Sequence, residues 1–220
     1  SNKNMRFIFY DTETTGTNTA FDQILQFGAI HTDESLNELE RFEVRCRLLP
    51  WVVPSPGALK VTGISPDLLE DSALPSHYQM IRMIEQKLKS WSPATFIGYN
   101  SISFDENLLR QSLFQTLRSP YLTNTNGNCR GDVMRLAHAC YAYVPNAIAV
   151  PLNEKNKPSF KLDLLAPANG FNHEKAHDAI ADVEATIHLS KLIRDRARPV
   201  WDRVHEMAHK PHAQATLDRE

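Results

Sequence analysis

Asp11 and Glu13 stand one residue apart, where the apolar run Met5-Arg6-Phe7-Ile8-Phe9-Tyr10 gives way to Thr14-Thr15-Gly16. Alternate side chains of an extended strand share a face, so both carboxylates project from one side of the strand end. Two like charges that close repel each other, and an oxygen-seeking divalent cation such as Mg2+ or Mn2+ is the usual remedy. The alternative for the pair taken alone is a solvated turn after an edge strand, with acidic residues flanking a glycine. A third carboxylate lies far along the chain. Ala179, Asp182, Thr186, Leu189 and Ile193 recur at i, i+3, i+7, i+10 and i+14, which puts Asp182 on an otherwise inward helical stripe. A buried carboxylate left uncompensated is costly, so Asp182 needs either a nearby Lys or Arg or a coordinated cation. His177 lies just before this helix; it does not share a helical face with Asp182, but a loop histidine can swing over the same site.

Several elements must position these groups. Residues 5–11, Ile24 to His31 and Leu39 to Arg47 read as strands, the last two joined by the polar turn Thr32-Asp33-Glu34-Ser35. A loop rich in proline and glycine follows, from Pro50 to Pro66, where Ser65-Pro66 has the form of an N-cap and first helical residue. Tyr78, Ile81, Ile84 and Leu88 keep helical spacing up to Ser90, and Thr95 to Tyr99 reads as a fourth strand. Ser103 and Glu106 form a capping box, which places Asp105 in the first turn of a helix. Asp132 caps a further helix, a short helix begins around Ser159 to Leu162 and ends at Gly170, and the longest helix runs from about Asp178 to Arg196. A short amphipathic segment, Val200 to Met207, precedes a polar tail. Residues 1–200 are expected to form one domain, with 201–220 as a helix end and tail.

Composition narrows the function. Of 220 residues, 42% are hydrophobic and 23% charged, as in an ordinary globular protein. A net charge of -2 excludes binding nucleic acid by bulk positive charge, so a polyanion would have to be held by a site. Cys46, Cys129 and Cys140 are odd in number and lack CxxC spacing, which suggests neither a disulfide framework nor a zinc ribbon and fits a reducing, cytoplasmic location. No apolar stretch approaches the length of a membrane span, and no apolar signal segment opens the chain, so no membrane partner is expected.

Three segments together resemble a known family. Asp11-Thr12-Glu13-Thr14-Thr15-Gly16, then Gly98-Tyr99-Asn100 to Phe104-Asp105, then His177-Asp178-Ala179-Ile180-Ala181-Asp182 are similar in order and spacing to the motifs of the DEDD 3′-to-5′ exonucleases of the proofreading superfamily, in the branch with histidine in the third motif. Pro158-Ser159-Phe160-Lys161-Leu162, Ala168-Asn169-Gly170 and Ala139-Cys140-Tyr141-Ala142 further resemble the exodeoxyribonuclease I group, over roughly residues 5–200. Members of that group usually carry further C-terminal domains that help embrace DNA, and this chain stops before them.

The resemblance implies an α/β, ribonuclease-H-like fold with a five-stranded mixed sheet flanked by helices. Its fifth strand is expected in or near Asn124 to Arg130 or Asn146 to Pro151. It also implies that Asp11, Glu13, Asp105 and Asp182 hold two Mg2+ or Mn2+ ions astride a scissile phosphate, with His177 as general base. The implied substrate is single-stranded DNA with a free 3′ end, cut to 5′-mononucleotides. Thr14, beside Glu13, would hold the terminal nucleotide; Thr62, Gly63 and Ile64 would press on its base; Phe104 and Tyr99 are stacking candidates; Lys161 would pin a phosphate. The alternatives are RNA ends, mismatched primer ends as in polymerase proofreading, or a catalytically silent nucleic-acid-binding module. His205, His209 and His212 are spaced like metal ligands but sit in or near a polar tail, and Asp132 and Asp163 read as a helix cap and a solvated helix face.

Overall fold

Side chains of the first strand are buried on both faces and enter two separate cores. The computed structural model describes residues 5–15, 23–47, 73–100 and 128–208, with side chains as far as residue 204. Five strands, β1 (Phe7–Thr14), β2 (Ile24–Thr32), β3 (Glu38–Arg45), β4 (Thr95–Gly98) and β5 (Cys129–Asp132), form one sheet in the order β3-β2-β1-β4-β5. β1 runs antiparallel to β2, and β2 to β3, whereas β4 runs parallel to β1 and β5 parallel to β4. The sheet is therefore mixed, with β1 at its centre. Around it lie α1 (His77–Trp91), α2 (Val133–Tyr143), α3 (Leu162–Ala168), α4 (Ala179–Arg196) and α5 (Arg198–Ala208). None of the described helices is long and apolar enough to cross a membrane.

Because successive strand residues point to opposite faces, Phe7 and Phe9 enter one core with Ile97, Val133, Val183 and Trp201, while Ile8 and Tyr10 enter a second with Phe27, Met80, Ile84 and Phe96. The first core is roofed by α2, α4 and α5, the second by α1. In α1, Ser76 supplies the capping box, its hydroxyl accepting from the Gln79 amide at 3.2 Å while its own amide donates to Gln79 Oε1 at 2.9 Å. Ile81, Ile84 and Leu88 are buried as their spacing predicts, but Tyr78 faces solvent and Met80 takes the inward place.

β1 runs three residues beyond its expected end at Asp11, so Glu13 lies within the strand rather than after it. The antiparallel ladder to β2 carries it onward through a bulge between Glu13 and Thr14. The fifth strand overlaps the end of the first expected window: Cys-Arg-Gly-Asp has no hydrophobic alternation, and its place comes from lying between β4 and the covering α5. Gly131 makes that cover possible, since a Cβ there would stand 2.8 Å from Val204 Cγ2. Trp201 and Val204, placed by the sequence in the terminal segment, are buried in the first core. The helix starts expected at Ser65 and Ser103 fall outside the described residues.

One glycine controls how closely α4 approaches the sheet. Gly28 on β2 has no side chain, and a Cβ built there would sit 3.0 Å from the Ala179 carbonyl carbon and the Ile180 nitrogen. Those are backbone atoms of the first turn of α4 and cannot step aside alone. Gly28→Ala is expected to lift that turn and destabilise the fold by about 1–3 kcal/mol, read as a lower urea midpoint at unchanged slope.

Candidate active site

Phe7, Phe9, Asp11 and Glu13 form one row on β1, apolar at its start and acidic at its end. Directly opposite on β2 stand Gly28, paired with Asp11, and Gln26, paired with Glu13. Cross-strand partners share a face, so these two β2 residues determine what can lie over the carboxylates. Gly28 admits the first turn of α4. Gln26, fully buried, holds it: Gln26 Oε1 accepts from the Ala179 amide at 3.3 Å, and Nε2 donates to Asp178 Oδ1 at 3.1 Å and to Glu43 Oε1 at 2.8 Å. Asp178 is the N-cap of α4, its carboxylate accepting from the Ala181 amide at 3.2 Å, and Arg45 Nη2 pairs with it at 3.2 Å.

One turn into α4, Asp182 thereby reaches β1. Oxygens of Asp11, Glu13 and Asp182 lie within 4.8 Å of one another. Ala179, Thr186, Leu189 and Ile193, which share its stripe, are all buried. Asp182 keeps 13% of its side chain exposed, at the floor of a cleft of about 620 Å³. Burial holds its carboxyl above the usual carboxylate range, with His173 and the His177 amide opposing that rise. All three donors are hard oxygens on partly or fully buried carboxylates, a set that suits a cation of the Mg2+, Mn2+ or Ca2+ type and not a thiophilic one.

The loop before α4 supplies two histidines. His177 was anticipated; its side chain is 43% exposed in the cleft, with Nε2 3.9 Å from Asp163 Oδ2. His177 has φ +67°, an uncommon conformation for a non-glycine residue, and its amide donates to Asp182 Oδ1 at 3.2 Å. His173 was not anticipated. Its ring is 1% exposed and its Nε2 stands 2.6 Å from the same Asp182 oxygen.

The residues just after β4 and at the start of α3 also line the cleft. Lys161, the N-cap residue of α3, and Asp163 in its first turn both line the cleft, so Asp163 faces the site as well as solvent. Tyr99 also lines it, and its hydroxyl donates to the Phe160 carbonyl while burial pushes the phenol pKa up. Phe160 stacks on His138 with centroids 3.7 Å apart. Asp132 is a helix cap as expected, accepting from the Met134 amide at 2.9 Å and the Asn100 amide at 2.8 Å. Thr14 is buried at the end of β1 and does not occur among the described residues of the cleft. Thr62, Gly63, Ile64, Phe104, Asp105, His209 and His212 lie outside the described residues, as does the side chain of His205. Among the residues missed by sequence reasoning, His173 left one signal, a second histidine four places before His177 between the Gly170 stop and the Asp178 cap. Gln26 and Gly28 left none beyond sitting in a strand opposite the acidic pair.

A mixed sheet of this order, with carboxylates on its central strand and on the helix crossing it, defines a ribonuclease-H-like nuclease domain. The chain belongs to the exonuclease family (RNase T), whose family model matches residues 8–190. It is 35% identical over 214 residues to exodeoxyribonuclease I of Escherichia coli K12, covering 96% of this chain and 45% of that protein. The crystal structure of E. coli exonuclease I in complex with a dA16 oligonucleotide superposes with a TM-score of 0.86 at 33% identity, covering 97% of this chain and 45% of the other. A zinc-ion-bound form of the E. coli enzyme with single-stranded DNA superposes with a TM-score of 0.85 at 34% identity, over 92% of this chain and 43% of that one. The chain thus spans less than half the length of these relatives.

If the three carboxylates share a cation, Mn2+ at a hundred times its dissociation constant should stabilise the protein by about 2.7 kcal/mol. Asp11→Asn should lose that stabilisation and, in EDTA, unfold at or above the temperature of the unaltered chain, because one repelling charge is gone. Calorimetry with and without Mn2+ checks both.

Proposed function

We propose that this chain is a metal-dependent 3′-to-5′ exonuclease domain that removes 5′-mononucleotides from single-stranded DNA. The observation that carries the proposal is the convergence of Asp11, Glu13 and Asp182 within 4.8 Å, with Asp11 and Asp182 lining the same cleft as His177 and Lys161, in a chain of the exonuclease family. Two Mg2+ or Mn2+ ions are proposed as cofactors, held by these three carboxylates and Asp105. Bound there, they would supply Lewis acidity to the phosphate oxygens and acidify the attacking water.

The chain's own groups do the rest. His177, on a cleft-facing and half-exposed side chain, takes the proton from the attacking water as its oxygen bonds to phosphorus and the 3′ oxygen of the penultimate nucleotide leaves. Lys161 pins a backbone phosphate, a contact that sets register without reading sequence. Thr14, next to Glu13 at the strand end, adjoins the terminal nucleotide, and Thr62, Gly63, Ile64 and Phe104 complete its pocket. Acidic walls around a polyanion are tolerable once the cations invert the local charge. Three free cysteines, two of them buried, fit a reducing cytoplasmic setting.

Labelled DNA, RNA and duplex oligonucleotides are the decisive panel, with EDTA as control. The expected result is stepwise shortening of single-stranded DNA from its 3′ end, abolished by EDTA and by Asp182→Ala; preference for RNA would reassign the substrate, and no cleavage with Mn2+ present would favour a silent binding module. His177→Ala should cut the rate about 10²–10⁴-fold, the usual worth of a positioned base, with Mn2+ binding retained. An unchanged rate would remove His177 from the role of base.

A further inference from the structure

The loop between α3 and α4 is built around Asp182 more closely than a connection requires. Asn169 and Gly170 end α3, Gly170 at φ +84°, and the Phe171 amide donates back to the Ala166 carbonyl at 3.1 Å. The Phe171 ring then lies between two imidazoles, 5.9 Å from His173 and 5.4 Å from His188 on α4, while His188 Nε2 is 2.8 Å from the Asn169 carbonyl oxygen. His173 is thus fixed on a packed wedge, with Nε2 aimed at Asp182.

Both contacts from this loop fall on one atom. Asp182 Oδ1 meets His173 Nε2 at 2.6 Å and the His177 amide at 3.2 Å. An ionised carboxylate only accepts, so His173 must carry its proton on Nε2. His173 Nδ1 is buried and has no hydrogen-bond partner among the described residues, which favours the tautomer that leaves Nδ1 as a bare lone pair. With Oδ1 claimed twice, the carboxylate is locked in rotation about its terminal bond.

We infer that His173 is a positioning residue that donates Nε2–H to Asp182 Oδ1 and so fixes the Asp182 carboxylate for cation binding. This rests on the metal reading above. Such outer partners of ligating groups typically contribute about 10- to 100-fold in metal affinity or activity. The inference concerns the hydrogen bond, and a glutamine can reproduce it, because its amide nitrogen reaches roughly where the imidazole Nε2 stands.

Titration of Mn2+ into the 220-residue chain without DNA, followed by the electron paramagnetic resonance of the free ion, tests this. His173→Leu should weaken Mn2+ binding by about 10- to 100-fold, whereas His173→Gln should keep most of the affinity. Unchanged binding in His173→Leu would overturn the inference, as would an equal loss in both variants, which would mean packing alone. Should His173→Leu fail to fold, the 15N spectrum of the unaltered protein still decides: an Nε2–H tautomer is expected, and an Nδ1–H tautomer overturns it. Absence of any Mn2+ binding that Asp182→Ala removes would instead overturn the metal reading, and this inference with it.

Discussion

Three carboxylates held within 4.8 Å repel one another, and the surrounding structure exists in a form that resists this repulsion. Water cannot screen them well, because Glu13 is buried and Asp182 nearly so. The central strand is pinned on both sides by ladders, and the incoming helix is pinned by Gln26, Arg45 and the Asp178 cap. Each of these ties acts on backbone or on a cap, not on the carboxylates themselves. Strand and helix are therefore held in place without relying on the three carboxylates, and Asp182 Oδ1 is further fixed by His173 and the His177 amide.

Asp182 and His177 are also tied together mechanically. His177 contributes its backbone amide to Asp182 and its side chain to the cleft. A residue in the left-handed region can send its N–H and its side chain in directions that a strand or helix would not allow. Position +67° in φ is costly for a histidine, and the two contacts of the loop on Asp182 are what hold it there. Any shift of α4 along its axis would consequently move His177 and Asp182 as one unit.

Much of this was legible in the sequence, and what was not has a common physical origin. The two-residue period placed Asp11 and Glu13 on one face, the helical stripe put Asp182 inward, and the Asp132, Asp178 and Gly170 punctuation matched the observed caps and stop. These are local properties, fixed within one or two turns of chain. Gly28, Gln26 and His173 act across separations of up to 153 residues or through packing of a loop, and no local rule marks them. The same holds for β5, four residues of unremarkable composition that become a strand only because β4 lies beside them, and for the Glu13 to Thr14 bulge that lets β1 run on.

β3 has a further consequence, unrelated to catalysis. Among the described strands it is an outer one, paired with β2 alone, and its residues Glu38, Glu40, Arg41, Glu43 and Arg45 are charged. Arg41 bridges Glu38 at 2.6 Å and Glu184 at 3.0 Å, and Lys87 meets Glu40 at 2.7 Å. Exposed ion pairs of this kind contribute little to folding. Their value lies in colloidal behaviour: a second copy sliding alongside to extend the sheet would have to strip water from a row of charges, so the margin of the molecule discourages edge-to-edge polymerisation.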